Sequence, residues 1–210
     1  MTIFEEISMY LQQGRAKNVK KLVEQALEEG LSPQNILAEG LMDGMDIIGR
    51  KFKDNEVFVP EVLVSARAMN MGLDALKPYL LQENAQPAGK VVIGTVKGDL
   101  HDIGKNLVKL MLESKGFEII DAGVDVSAEK FIEMAMENQA DMISCSALLT
   151  TTMLEMKRVV EIAEEKGVRD QIKIMIGGAP VTQKYCDEIG ADGYAADAVS
   201  AAELALQWVK

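Results

Sequence analysis

Three short blocks of the chain carry the side chains most able to do chemistry. They are Asp99-Leu100-His101-Asp102-Ile103-Gly104, then Ser146-Ala147-Leu148 with Thr150-Thr151-Thr152 behind it, then Gly177-Gly178. His101 is the one histidine in 210 residues. A single imidazole cannot hold a bare metal ion, because protein cages supply several donors. It can be one axial ligand to a metal whose equatorial positions a macrocycle already fills. A haem or a corrin would meet that description. A haem usually wants a second axial residue or a deep apolar pocket, and a corrinoid also needs room for its nucleotide tail. Asp99 lies two residues before His101, where its carboxylate can accept the Nδ1–H and leave Nε2 free and more basic. Gly104 can let the backbone approach a bulky group closely. Taken singly, each block has a plain reading. A lone histidine is usually a surface residue, a threonine run caps a helix, and Gly-Gly makes a turn.

These blocks need elements to hold them, and the two halves of the chain differ. Residues 1–82 show no convincing strand. The spacing predicts helices over 2–13, 15–29, 32–53 and 60–81. Leu22, Ala26 and Leu27 form one expected inner face, and Ile36, Leu37, Gly40, Leu41 and Gly44 another. Val62, Ala66, Met69 and Leu73 complete it. Ser32 is placed to cap the third helix, with Pro33 at its first position. Four helices with short connections predict a small bundle. Residues 83–88 read as a polar linker and hinge, and 89–210 as a second domain. There, strands over 90–95, 117–121, 142–145, 172–176 and 193–195 alternate with helices over 104–114, 128–138, 151–166, 182–189 and 201–209. Such alternation predicts an α/β, flavodoxin-like (Rossmann-like) parallel sheet of order 2-1-3-4-5. Ligands of such sheets bind outside the carboxyl ends of the strands, where all three blocks fall.

Composition narrows the field. Lys and Arg number 22 and Asp and Glu 33, a formal net charge of −11. That balance disfavours nucleic acid as a partner, since phosphate binding needs a basic surface. No apolar run reaches the roughly 20 residues of a membrane span. The start of the chain lacks a signal-peptide pattern, so a cytoplasmic protein is expected. Cys145 and Cys186 are too few for a disulfide framework, have no zinc-like spacing and read as buried, inert thiols. Most of the 13 methionines read as core, with Met69 the expected exception.

Taken together, the blocks resemble a known family. Asp99-x-His101-x-x-Gly104, 41 further residues, Ser146-x-Leu148, 28 more and Gly177-Gly178 look like the signature of base-off/His-on cobalamin-binding domains. Gly94-Thr95-Val96-Lys97-Gly98 is similar to the same family. In the first half, Phe52-Lys53-Asp54-Asn55-Glu56-Val57-Phe58-Val59-Pro60-Glu61-Val62 with Ala66-Arg67-Ala68-Met69 resembles the helical cap of methionine synthase and of methyltransferase corrinoid proteins. The resemblance thus spans nearly the whole chain.

It implies a cobalamin or related corrinoid whose cobalt alternates between methylcob(III)alamin and cob(I)alamin. His101 would be the cobalt ligand and Asp99 its hydrogen-bond partner. Thr152 would extend that relay, where methionine synthase tends to have serine. Ser146 and Thr150 would meet the nucleotide tail, and Gly177 and Gly178 would let it pass. Ile103, Gly104 and Leu148 would also contact the cofactor, while Phe52, Val59 and Met69 of the cap would cover its upper face. No catalytic residue of the chain's own is expected, since bundle and sheet use up the length. Catalysis would come from a substrate-specific methyltransferase and a second one using tetrahydrofolate or coenzyme M, with a reductive activase as a further partner. The methyl donor would be a methylated amine, a quaternary amine or methanol. A cobalamin-dependent sensor and the cobalamin subunit of a mutase are the alternatives. The first lacks a basic recognition helix here, and the second usually lacks the cap.

Overall fold

The computed structural model describes residues 1–82 and 86–209. They form two compact units, Met1–Gln86 and Pro87–Lys210. Part of the linker and hinge expected at 83–88, namely 83–85, lies outside the described residues.

The first unit is helical: α1 (Ile3–Gln12), α2 (Ala16–Glu28), α3 (Pro33–Asn35), a π-helical segment (Ile36–Met42), α4 (Asp43–Lys53) and α5 (Val59–Gln82). Thr2 and Glu5 close α1 with a reciprocal capping box, satisfying two amides that the first turn leaves unpaired. The rod expected over 32–53 is continuous, but its middle is π. The Asp43 amide bonds the Ala38 carbonyl, five residues back. A π segment inserts a residue into the helical repeat, which spacing arguments built on 3.6 residues per turn do not register. The expected Ser32 cap is not made; its hydroxyl donates to Gln34 Oε1 instead. The inner face of α2 is Val19, Val23 and Ala26, with Leu22 and Leu27 only partly buried. Asn55, at φ +59°, ends α4 where Asp54-Asn55 was expected to break it.

The second unit is one parallel sheet of order β2-β1-β3-β4-β5. Its strands are β1 (Lys90–Val96), β2 (Glu118–Val126), β3 (Met142–Ser146), β4 (Lys173–Gly177) and β5 (Gly193–Ala195). The helices are α6 (Ile103–Ser114), α7 (Ala128–Asn138), α8 (Leu154–Glu165), α9 (Gln183–Ile189) and α10 (Ala198–Trp208). The expected strand order is the observed one. Val92, Phe131, Ile143, Val159 and Ile174 belong to the core on one side of the sheet. Gly94 makes room for Phe131 of α7, because a Cβ there would stand 2.8 Å from its ring. Cys145 and Cys186 are buried, and burial pushes both thiols up, so neither is a ready nucleophile. Strand β2 runs five residues past its expected end at Asp121, to Val126.

The amino-end loops of β4 and β5 are tied by Asp192. Its carboxylate accepts the Ile174 amide at 2.8 Å and pairs with Arg169 at 2.7 Å and Lys173 at 3.1 Å. Burial alone would raise its pKa; the Ile174 amide and the two cations overcome that and hold it below the usual carboxylate value. A carboxylate depressed in the folded state stabilises the fold above its unfolded pKa and loses that contribution as pH falls. Asp192→Asn should therefore cost roughly 2 kcal/mol at neutral pH, the gap narrowing below about pH 4. Urea denaturation across pH measures this, and a gap that stays constant would refute it.

Candidate functional site

Strand pairing aligns the three sequence blocks in one row at the carboxyl edge of the sheet. Thr95 of β1 pairs with Ser146 of β3, Ser146 with Gly177 of β4, and Gly177 with Ala195 of β5. The loops that follow β1, β3 and β4 therefore leave the sheet side by side.

Asp99 is the hub of the first two loops. It is fully buried, yet its carboxylate is surrounded by donors. Oδ1 accepts the His101 amide at 3.1 Å and faces His101 Nδ1 at 2.7 Å. Oδ2 accepts the Leu148 and Leu149 amides at 2.8 and 3.3 Å. The Thr152 hydroxyl lies 2.9 Å from both Oδ2 and the Leu149 carbonyl, and its one proton serves either. Burial would raise the Asp99 pKa, but the Leu148 amide, the imidazole, the His101 amide and Thr152 together hold it well below the carboxylate range. A carboxylate in that state only accepts, so Nδ1 carries the proton and Nε2 is the free donor atom. Thr95, itself buried, donates to the His101 carbonyl at 2.8 Å and fixes the other side of the residue.

The imidazole is presented rather than enclosed: the His101 side chain is 54% exposed. Leu100 and Ile103 flank it in sequence and are at least 70% exposed. Leu148 and Leu149, on the loop whose amides hold Asp99, are also exposed, as is Leu154 at the start of α8. Large apolar side chains gathered at a surface mark a place where an apolar body sits. Among the described residues no cluster of three or more His, Cys, Asp or Glu could hold a metal ion. The donor set is one oriented imidazole with an apolar surround. That suits a metal already held in a macrocycle and does not suit a bare cation.

The remaining expected residues divide. Ser146 is half-buried at the sheet edge, Thr150 is exposed and Thr152 is buried. The threonine run does not cap α8 through a hydroxyl; Met153 occupies that position without a side-chain bond, because Thr152 is turned to Asp99. Gly178 has a reason internal to the chain. Its φ is +129°, and a Cβ there would lie 1.8 Å from the Ala147 carbonyl oxygen. At Gly177 a Cβ would meet the Ala195 carbonyl at 3.2 Å, and at Gly104 it would meet nothing within 4 Å. In the first unit, Phe52 and Val59 are partly exposed; Met69, expected to be the exception among core methionines, is itself buried at 4% exposure. Sequence reasoning gave no individual role to Thr95, Leu100, Leu149 or Leu154. Thr95 sits inside a strand run, and the exposure of a leucine carries no sequence signal.

A parallel α/β sheet whose strand-end loops present one carboxylate-held imidazole among exposed apolar side chains offers the single donor that a macrocyclic metal cofactor takes from a protein. Family models described as B12 binding domain match residues 89–203 and 3–77. A corrinoid protein of Desulfitobacterium hafniense (strain Y51) is 41% identical over 208 residues, covering 98% of this chain and 96% of its own length. The dimethylamine corrinoid protein of Methanosarcina barkeri is 45% identical over 201 residues, covering 95% of this chain and 93% of its own length. Among solved structures, the methanol:cobalamin methyltransferase complex MtaBC from Methanosarcina barkeri matches with TM-score 0.86 at 30% identity. That match covers 99% of this chain and 79% of the MtaBC chain. The chain belongs to the B12-binding corrinoid proteins. Its cofactor is accordingly a corrinoid, and the residues present fit one. No helix of the described residues is long and apolar enough to cross a membrane.

Proposed function

We propose that this chain is the methyl-carrying subunit of a multi-component methyltransferase system, serving two partner enzymes in turn. The observation that carries the reading is His101, held through Nδ1 by Asp99 at 2.7 Å with its ring open to an apolar surround. When bound, the corrinoid supplies a cobalt centre that takes a methyl group from one partner and yields it to another. The chain's residues do the holding. His101 offers Nε2 to the metal, Asp99 orients the ring and supports a proton on Nδ1, and Thr152 with the Leu148 and Leu149 amides keeps Asp99 ionised. Ile103, Leu148 and the open backbone at Gly104 would face the macrocycle. Ser146, Thr150, Gly177 and Gly178 would border the nucleotide tail. Phe52 and Val59, partly exposed on the 1–82 unit, would keep water from the bound group.

On this reading the partners are a substrate-specific methyltransferase, a second methyltransferase using tetrahydrofolate or coenzyme M, and a reductive activase, all in the cytoplasm. The relatives named for methylamine and methanol systems support a methylated amine, a quaternary amine or methanol as donor. The test is to load the protein with cobalamin, reduce it, and mix it with a panel of methyltransferases and carbon-14-methyl donors. One donor–enzyme pair should place label in the protein-bound corrinoid. Failure of every pair, with the corrinoid bound and reduced, would contradict the carrier role.

A further inference from the structure

The carboxyl end of β2 is bent twice on its way past the His101 loop. Its pairing with β1 steps from Ile93–Asp121 to Gly94–Gly123 and then to Val96–Val126, an extra residue each time. Gly123 has φ +88° and Asp125 φ +56°, the latter a left-handed conformation unusual for a residue with a Cβ. Paired irregularities of this kind re-aim side chains, and they gather near functional sites. Here they bring Asp125 against the loop that carries His101. The Asp125 carboxylate accepts the Gly98 amide at 2.7 Å, and the Asp125 amide donates to the Asp99 carbonyl at 3.0 Å. The result is a two-bond clasp on the residues just before the imidazole.

The other end of the loop is braced from the same strand. Asp121 accepts from Lys105, a buried lysine in the first turn of α6, at 2.6 Å, from Lys109 at 3.2 Å and from the Gly123 amide at 3.0 Å. The loop is thus gripped by β2 on both sides of His101. None of these contacts touches the imidazole itself.

We propose that Asp125 is a positioning residue for the cobalt ligand: its clasp on Gly98 and Asp99 holds the His101 loop in the position from which the imidazole would meet the metal. This rests on His101 being the ligand. Asp125→Gly removes the carboxylate but keeps the amide, and it accepts the left-handed backbone without strain. Asp125→Asn retains an oxygen acceptor for Gly98. Each protein is loaded with hydroxocobalamin and reduced to the cobalt(II) form. With the one histidine labelled by nitrogen-15, the paramagnetic resonance spectrum then gives the share of centres that show the doublet of His101 and not the triplet of the cofactor's benzimidazole.

That share should fall about threefold or more in Asp125→Gly while corrinoid stays bound, and return in Asp125→Asn. A merely structural aspartate would lower thermal stability and leave the splitting unchanged. An unchanged share in Asp125→Gly overturns the inference. A labelled wild-type spectrum with no nitrogen-15 doublet overturns the histidine-ligand reading, and this inference with it. Amide exchange in the unloaded wild-type chain decides the clasp without any variant. The Gly98 amide should be protected roughly tenfold or more against its open-loop rate, and an unprotected amide overturns the inference.

Discussion

Asp99→Ala should weaken corrinoid binding by roughly 10–100-fold and lower the stability of the unloaded protein by about 3 kcal/mol. Both effects come from one carboxylate. In the folded chain it receives the Leu148 and Leu149 amides, the His101 amide and imidazole, and shares the Thr152 hydroxyl. Truncation leaves several of these donors facing a position where Asp99 was wholly buried, and a donor stranded away from water costs more than the bond it made. It also frees the His101 ring to choose either tautomer and any rotamer, so the ligand atom is no longer aimed. Hydroxocobalamin titration and urea denaturation of the same preparations separate the two losses. If neither measurement moves, Asp99 is a bystander.

Gly178→Ala should prevent folding or destabilise the sheet unit by about 4 kcal/mol or more. The methyl group would have to occupy space 1.8 Å from the Ala147 carbonyl oxygen, at a φ of +129° that side chains avoid. The carbonyl oxygen is backbone and the position of a Cβ is fixed by the backbone that bears it, so no rotamer change relieves the contact. Gly104→Ala is the informative partner. The space there is open within 4 Å, and alanine suits a helix better than glycine. The unloaded Gly104→Ala protein should therefore be as stable as the parent or slightly more so, by under ~1 kcal/mol, and any loss should appear only in corrinoid binding. Thermal denaturation of both unloaded variants checks the pair; a stable Gly178→Ala protein would show that the loop relaxes where the geometry says it cannot.

The contrast between these glycines shows what could be read before the structure and what could not. Gly177-Gly178 stood out through spacing from the other two blocks, and that spacing works because Thr95, Ser146 and Gly177 share one row of the sheet. The cause of glycine at 178, an approach between two backbones, has no sequence signature. The strand order was legible because apolar runs alternate with helical spacing. The far end of β2 was not: the expected strand stops at Asp121, whereas the chain continues through Gly123 and Asp125 as a bulged strand, and the carboxylates of Asp121 and Asp125 serve the neighbouring loop. The Asp99–His101 pair was legible from a two-residue spacing, while the amides of Leu148 and Leu149 that complete it carry no residue code. In the bundle, the apolar residues of α2 allow two overlapping faces, and only packing selects Val19, Val23 and Ala26. The threonine run looked like a cap, and Asp99 claims its last hydroxyl instead.

The central claim is that His101 supplies the lower ligand of the cobalt, and the composition makes a direct test possible. With one histidine in the chain, labelling histidine alone with nitrogen-15 marks a single imidazole. The protein is loaded with unlabelled cobalamin, reduced to the cobalt(II) form and examined by paramagnetic resonance. If His101 is the ligand, each axial-nitrogen triplet of the unlabelled protein becomes a doublet in the labelled one. If the triplets persist, the ligand is the cofactor's own benzimidazole and the account of the site is wrong.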